Sequence, residues 1–169
     1  AFKEIDKKIT KEDDYFKEEK NLILVGMIGL KDPARKNVAS AIQTCREAHI
    51  RPIMLTGDNL ATALAIGKEV GICNSDDEGI NANDLNNLKT KEVMEYVNKY
   101  SVFARVSPEN KVQIVKALQK MGKVVAMTGD GVNDAPAMKL ANVGVGMGKS
   151  GTDVTKNVAD IILLDDSYN

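Results

Sequence analysis

Short apolar runs alternate with amphipathic stretches through most of the chain, and this alternation limits the possible folds more than any other feature. The runs predict strands at Leu22–Ile28, Arg51–Leu55, Ser101–Ala104, Lys123–Met127, Val143–Val145 and Ile161–Leu164. The stretches between them have helical spacing and predict helices at Lys36–Ala48, Leu60–Val70, Lys91–Tyr100, Pro108 to Gly122, Ala135–Ala141 and Thr152–Val158. Strands that alternate with helices predict βαβ units, a mainly parallel sheet and helices on both of its faces.

The first 20 residues differ from the rest, because they are dense in Lys, Glu and Asp and show little apolar periodicity. We interpret residues 1–20 as a linker or the edge of a neighbouring domain, and residues 21–169 as one α/β domain. Leu22–Ile28 is almost entirely apolar, which is typical of a strand buried on both faces. Residues 74–90 hold many Asn and Asp and predict a loop with a short helical piece.

Charge and hydropathy exclude several classes of protein. The formal net charge of −1 gives no reason to expect binding to nucleic acid or to an anionic membrane. The longest apolar stretch, Leu22–Leu30, has nine residues, whereas a membrane-spanning helix needs about 20. The two cysteines, Cys45 and Cys73, have no metal-binding or redox spacing and are expected to be reduced thiols.

The same tripeptide follows two of the predicted strands. Thr56-Gly57-Asp58 comes after one strand, and Thr128-Gly129-Asp130 comes after another and continues as Gly131-Val132-Asn133-Asp134. One such tripeptide is most simply a turn with a helix cap. Two of them at equivalent strand ends favour a ligand site, because ligands of open parallel sheets bind beyond the carboxyl ends of the strands.

The residue types at these strand ends suit phosphate and a hard cation. Glycine brings a backbone N–H close to an anion, and a threonine hydroxyl can bind a phosphate oxygen. Asp130 and Asp134, with Asn133 between them, could converge on one Mg²⁺, which prefers a few carboxylate oxygens together with water and phosphate. Lys111, in the first turn of the helix that Pro108 begins, could neutralise a phosphoryl group at the same edge.

Two other patterns suggest nucleotide binding and are less favoured. Residues 146–151 match Gly-x-Gly-x-x-Gly and precede Asp165 by about 20 residues, as in a dinucleotide fingerprint. The pattern follows a late strand, however, whereas the fingerprint belongs to the first βα turn of its unit. Residues 148–150 also imitate a P-loop, but Val143 stands where the first glycine is needed.

Taken together, these segments resemble a known superfamily. The two Thr-Gly-Asp segments and Lys111 resemble the second, third and fourth motifs of the haloacid-dehalogenase-like superfamily. The longer form with Ala135-Pro136-Ala137 behind it resembles P-type cation-transporting ATPases of type II, and calcium pumps most. Further resemblance lies in Asp32-Pro33-Ala34-Arg35, where Ala34 replaces the second proline of a hinge motif, in residues 103–108 and in residues 151–166. The resemblance covers the chain from about residue 20 and implies a Rossmann-like, three-layer α/β/α fold.

The resemblance also implies a role for each candidate residue in phosphoryl transfer from ATP. In this family Asp130 would bind Mg²⁺, and Lys111 would neutralise charge on the phosphoryl group. The other implied roles are phosphoryl-oxygen binding by Thr56 and Gly57, completion of the phosphate and metal pocket by Asn133 and Asp134, and contact with ATP by Asp58, Arg105 and Arg35.

One element of the family pattern does not occur here. The Asp-Lys-Thr-Gly-Thr motif, whose aspartate accepts the γ-phosphate, is not in the sequence. We therefore expect part of an incomplete phosphorylation domain, on the cytoplasmic side of a membrane in a parent pump, with the pump's nucleotide-binding, actuator and membrane domains as partners. The chain alone is expected to be soluble and inactive. The alternatives are a soluble phosphatase of the same superfamily and a non-catalytic module that binds Mg²⁺ and phosphate.

The missing motif also affects the fold. In this superfamily the strand that carries the nucleophile lies centrally, which places it between the strand ending at Leu55 and the strand ending at Met127. Buried backbone groups left without partners would cost roughly 1–3 kcal/mol each. The gap could be closed by the two strands pairing with each other, by entry of another segment such as Leu22–Ile28, or by a strand from a second molecule. We favour direct closure, with hydrogen bonds between residues 51–55 and 123–127.

Overall fold

A computed structural model describes Glu4, residues 19–29 and residues 33–167. Two compact units are present, residues 1–32 and residues 33–169. Most of the predicted linker at residues 1–20 lies outside the described residues. The prediction of a buried strand at Leu22–Ile28 is wrong, because its described residues form no strand beyond a single bridge at Ile23 and are exposed, with Met27 and Ile28 91 % accessible. An apolar run becomes a buried strand only where neighbours cover its faces.

The second unit contains six helices and six strands among its described residues. The helices are α1 (Val38–Glu47), α2 (Leu60–Glu69), α3 (Thr90–Lys99), α4 (Pro108–Lys120), α5 (Ala135–Leu140) and α6 (Asp153–Val158). The strands are β1 (Met54–Leu55), β2 (Gly79–Asn81), β3 (Val102–Ala104), β4 (Ala126–Gly129), β5 (Val143–Met147) and β6 (Ile161–Leu163). In the described part of the chain no helix has the length and hydropathy that a membrane span requires.

Local capping explains where several helices begin. The Ser107 hydroxyl accepts the N–H of Asn110, and Pro108 occupies the first helical position of α4, where its missing N–H costs nothing. The Asn59 side chain caps α2 in the same way by accepting the N–H of Thr62. These caps fix the helix starts directly behind the strand ends that carry the candidate residues.

The strands form two three-stranded parallel sheets, with orders β1-β3-β2 and β4-β5-β6. The predicted α/β class with an incomplete parallel sheet is confirmed. Strand β2 was not predicted, since residues 74–90 indicated a loop. Its three residues are too few to show periodicity, and only pairing with β3 makes them a strand.

The prediction that β1 and β4 pair with each other is wrong. Among the described residues β1 pairs with β3 alone and β4 with β5 alone. Helix α4 packs against both sheets instead. Ile114 lies in the core around Phe103, and Val115 lies in the core around Met127.

Exposure at the open edge explains why the missing hydrogen bonds are tolerated. Both residues of β1 are partly exposed, and Met127 is the one buried residue of β4. Backbone groups beside an exposed segment can bond to water, so they avoid the penalty of burial without a partner. The predicted cost of leaving these strands apart was therefore too high.

Candidate functional site

The best-defined feature of the candidate site is an ion pair between Lys111 and Asp134. The Lys111 ammonium lies 2.5 Å from Asp134 Oδ1, and the two side chains are 16 % and 11 % exposed. Lys111 lies in the first turn of α4, and Asp134 ends a 3₁₀ turn, Val132–Asp134, that leads into α5. A charge pair this well shielded from water fixes the direction of both side chains.

The second carboxylate oxygen of Asp134 fastens the loop that follows β4. Asp134 Oδ2 accepts the N–H of Gly131 at 3.1 Å and the N–H of Asp130 at 3.3 Å. Gly129 makes this closure possible, because a Cβ at that position would overlap the Asp134 side chain. The pattern Gly-Asp-Gly-Val-Asn-Asp at residues 129–134 is thus explained by a loop that the Asp134 carboxylate closes through two backbone N–H groups.

Asp130 is held on the other side as well. Its carbonyl oxygen accepts the N–H of Thr152 at 2.9 Å, and the Thr155 hydroxyl lies 3.4 Å from the same oxygen. The Asp130 residue is nevertheless exposed, and Asn133 beside it is exposed too. The result is a fixed backbone at a carboxylate that remains accessible to a ligand from solution.

The first Thr-Gly-Asp segment forms a second cluster at the end of β1. Asp58 N–H donates to Thr56 Oγ1 at 3.1 Å, and the Thr56 hydroxyl donates to Asp58 Oδ2 at 3.2 Å. Arg105, at the end of β3, has a positive φ of 54° and donates its N–H to the Asp58 carbonyl at 3.0 Å. Gly57 lies exposed between them. The structure therefore brings Thr56, Asp58 and Arg105 together.

Packing relates the two clusters to each other. Leu55, directly before Thr56, packs against the core that contains Val125 and Met127, and Met127 directly precedes Thr128. The two strand ends that carry the Thr-Gly-Asp segments therefore share one core. The repeated tripeptide predicted that these two strand ends lie at one edge, and both pack against the same core.

Arg35 occupies a different environment from the other candidate residues. Its guanidinium donates to the Asp166 carbonyl at 3.0 Å, beside a cavity of about 160 Å³ lined by residues 35–38 and 165–167. The Asp166 carboxylate accepts the backbone N–H groups of Lys149 and Ser150. The bond from Lys149 is the main cause that lowers the pKa of Asp166, to about 2. No local sequence pattern predicts this contact, because it joins residues 131 positions apart in the chain.

The carboxylates of the candidate site can be compared with the coordination that Mg²⁺ prefers. No group of three or more His, Cys, Asp and Glu side chains lies together among the described residues. Asp134 is paired with Lys111, which leaves Asp130 as the accessible carboxylate of this loop. One or two carboxylates, completed by water and phosphate, are what Mg²⁺ typically takes from a protein in phosphoryl-transfer sites. The residues present fit the protein's share of such a site.

Comparison with known proteins identifies the family. The model of the haloacid dehalogenase-like hydrolase family matches residues 2–142, so the chain belongs to this family of hydrolases. Within it, the similarity is to P-type ATPases. Calcium-transporting ATPase 1 of Bacillus cereus is 50 % identical over 151 residues, which cover 89 % of this chain and 17 % of that protein.

Two further comparisons agree. P-type sodium-transporting ATPase4 of Toxoplasma gondii is 46 % identical over 159 residues, covering 87 % of this chain and 12 % of that protein. A solved structure of the catalytic domain of the CPx-ATPase CopB-B, studied upon nucleotide binding, has a TM-score of 0.61 and 32 % identity and covers 81 % of this chain and 43 % of that one. The chain thus spans less than a fifth of the length of the two full-length pumps it matches.

Proposed function

We propose that this chain is the phosphorylation-domain segment of an ATP-driven cation pump. It supplies the groups that bind Mg²⁺ and the transferring phosphoryl group, while the aspartate that accepts the phosphate belongs to another part of the parent protein. The observation that carries the proposal is the clamped loop in which Lys111 pairs with Asp134, and Asp134 in turn holds the backbone of Asp130. Phosphoryl transfer depends mainly on positioning and charge compensation of this kind.

Each residue has a distinct part in this proposal. Asp130 offers its carboxylate to Mg²⁺, and Lys111 offsets negative charge on the phosphoryl oxygens. Thr56 and Gly57 bind those oxygens from the other strand end. The remaining candidates are Asn133 and Asp134, which complete the phosphate and metal pocket, and Asp58, Arg105 and Arg35, which contact ATP beyond its γ-phosphate.

The open edge between the sheets supports the view that the site is shared. Strands β1 and β4 have no second strand partner among the described residues, and their ends carry the two halves of the candidate site. A strand that ends in an aspartate would place a nucleophile between these halves. In the parent it acts with the nucleotide-binding, actuator and membrane domains, on the cytoplasmic side, and we propose calcium as the transported ion.

A chimaeric pump tests the proposal. The chain would replace the matching 151-residue segment of the Bacillus cereus calcium-transporting ATPase 1, which is 50 % identical. Incubation with radiolabelled ATP, Mg²⁺ and Ca²⁺ would measure acid-stable phosphoenzyme, and vesicles would measure Ca²⁺ uptake. We expect both activities, and we expect Asp130→Asn to abolish phosphoenzyme formation.

Controls separate this function from the alternatives. A chimaera with Asp76→Ala, a change at an exposed residue away from the candidate site, should keep full activity. A folded chimaera that forms no phosphoenzyme would favour a non-catalytic binding module. Hydrolysis of p-nitrophenyl phosphate by the 169-residue chain alone, lost in Asp130→Asn, would favour a free phosphatase and overturn the proposal.

A further inference from the structure

The backbone of Asp130 is fixed from both sides, and the two anchors come from different elements. The N–H of Asp130 donates to the carboxylate of Asp134, the last residue of the following 3₁₀ turn. The carbonyl of Asp130 accepts the N–H of Thr152, which directly precedes α6. Asp134 was identified from sequence as part of the site. The anchor on α6 was not, because Thr152 and Thr155 lie more than twenty residues further along the chain.

Thr155 is the centre of the second anchor. It is 0 % exposed, and its hydroxyl lies among three oxygens: the Thr152 carbonyl at 2.8 Å, Thr152 Oγ1 at 3.2 Å and the Asp130 carbonyl at 3.4 Å. The Thr155 N–H also donates to Thr152 Oγ1 at 3.3 Å. These bonds orient Thr152, whose N–H then meets the Asp130 carbonyl at 2.9 Å.

Helix α6 packs against the sheet, and this packing fixes the position of Thr155. A Cβ on Gly146 of β5 would lie 3.1 Å from Ala159 Cβ and 3.5 Å from the Thr155 carbonyl oxygen. The Thr155 backbone therefore packs against β5, the direct neighbour of β4. Asp130 is thus positioned against the same sheet from which its own strand delivers it.

We propose that Thr155 is a positioning residue for Asp130. The Thr155 hydroxyl donates to the Thr152 carbonyl at 2.8 Å and lies 3.4 Å from the Asp130 carbonyl, while the Thr152 N–H donates to that carbonyl at 2.9 Å. The backbone of Asp130 is thereby fixed before its carboxylate would bind Mg²⁺. This inference rests on the proposed function. Thr155 is fully buried and acts through the Asp130 backbone, so we expect its effect on metal affinity rather than on the chemical step.

Three substitutions in the chimaeric pump test the inference. Thr155→Val keeps the shape and removes the hydroxyl, Thr155→Ser restores the hydroxyl, and Thr44→Val is the matched control. Thr44 also bonds a helix carbonyl, that of Ser40 at 3.1 Å, but it is exposed and lies on α1. We expect Thr155→Val to raise the Mg²⁺ concentration for half-maximal phosphoenzyme formation about five- to tenfold with kcat little changed. Thr155→Ser should restore it, and Thr44→Val should have no effect.

A second readout does not depend on activity. Mn²⁺ added to the ¹⁵N-labelled 169-residue chain should broaden the amide resonances of Asp130 and Gly131, and Thr155→Val should need about five- to tenfold more Mn²⁺ for the same broadening. If Thr155→Val leaves both metal dependences unchanged while Asp130→Asn removes them, the inference is wrong and the proposed function stands. If the unsubstituted chimaera forms no phosphoenzyme, the proposed function fails instead. A uniform loss of kcat that serine does not rescue would show that Thr155 is structural only.

Discussion

Replacing Asp134 by alanine should destabilise the chain far more than breaking an exposed ion pair of similar length. The Asp134 carboxylate has three partners, the Lys111 ammonium at 2.5 Å and the backbone N–H groups of Gly131 and Asp130. Asp134→Ala removes all three acceptor interactions at once. It also leaves the Lys111 charge, only 16 % exposed, without its partner.

The size of the effect follows from these contacts. A hydrogen bond to a charged group contributes about 1.5–3 kcal/mol net, and an ordinary one about 0.5–1.5 kcal/mol. The 3.3 Å bond from Asp130 is long and lies at the lower end. Because the pair keeps some contact with water, we expect a loss of about 3 kcal/mol rather than the full penalty of a broken buried pair. For a chain of this size that lowers Tm by roughly 6–12 °C.

Urea and thermal unfolding, followed by circular dichroism, would measure this loss. The matched control is Asp76→Ala, because Asp76 pairs with Lys68 at 2.6 Å but the two side chains are 76 % and 39 % exposed. That change should cost less than about 1 kcal/mol. Equal losses for the two variants would refute the reasoning, since shielding from water and the two backbone bonds would then contribute nothing.

Three other changes have defined outcomes. Gly129→Ala should lower the free energy of unfolding by more than 1 kcal/mol in urea titrations, because the new Cβ would overlap Asp134; an unchanged midpoint would contradict the close contact. Asp166 has its pKa lowered to about 2, so its stabilising effect should be present above about pH 4 and lost as the pH falls towards 2. Asp166→Asn should therefore reduce the fall in the free energy of unfolding between about pH 4 and pH 2. An unchanged fall would argue against these hydrogen bonds. The chain alone should bind Mg²⁺ only in the millimolar range, mainly through Asp130, and micromolar affinity by calorimetry would contradict a site with a single accessible carboxylate.

Local sequence signals predicted much of the fold. The helix at Leu60–Val70 was observed as Leu60–Glu69, and the helix that Pro108 begins was observed from that residue. Capping residues and apolar periodicity act within a few residues, so they can be read from sequence alone. The strand predicted at Leu22–Ile28 failed for the complementary reason, because burial of an apolar run depends on what lies against it.

The candidate site likewise has features that local sequence signals predicted and features that they could not predict. The repeated Thr-Gly-Asp tripeptide marked both strand ends, and the spacing of Asp130 and Asp134 indicated a shared role. The bond from Thr152 to the Asp130 carbonyl could not be predicted, since it depends on where α6 packs. Arg35 likewise bonds to Asp166, a contact across 131 residues that no local pattern encodes.

The two halves of the candidate site differ in how far this chain can organise them alone. The half that contains Lys111, Asp130 and Asp134 is built from α4, β4, the 3₁₀ turn and α6, and each of its members bonds to another. The half that contains Thr56 sits on a two-residue strand whose other edge has no partner among the described residues. Positioned dipoles and charges stabilise a transition state because they need no rearrangement when charge develops. Under the proposed function, the groups assigned to metal binding and charge compensation are therefore already positioned by this chain, whereas alignment of the Thr56 half with them would need a further strand at the open edge.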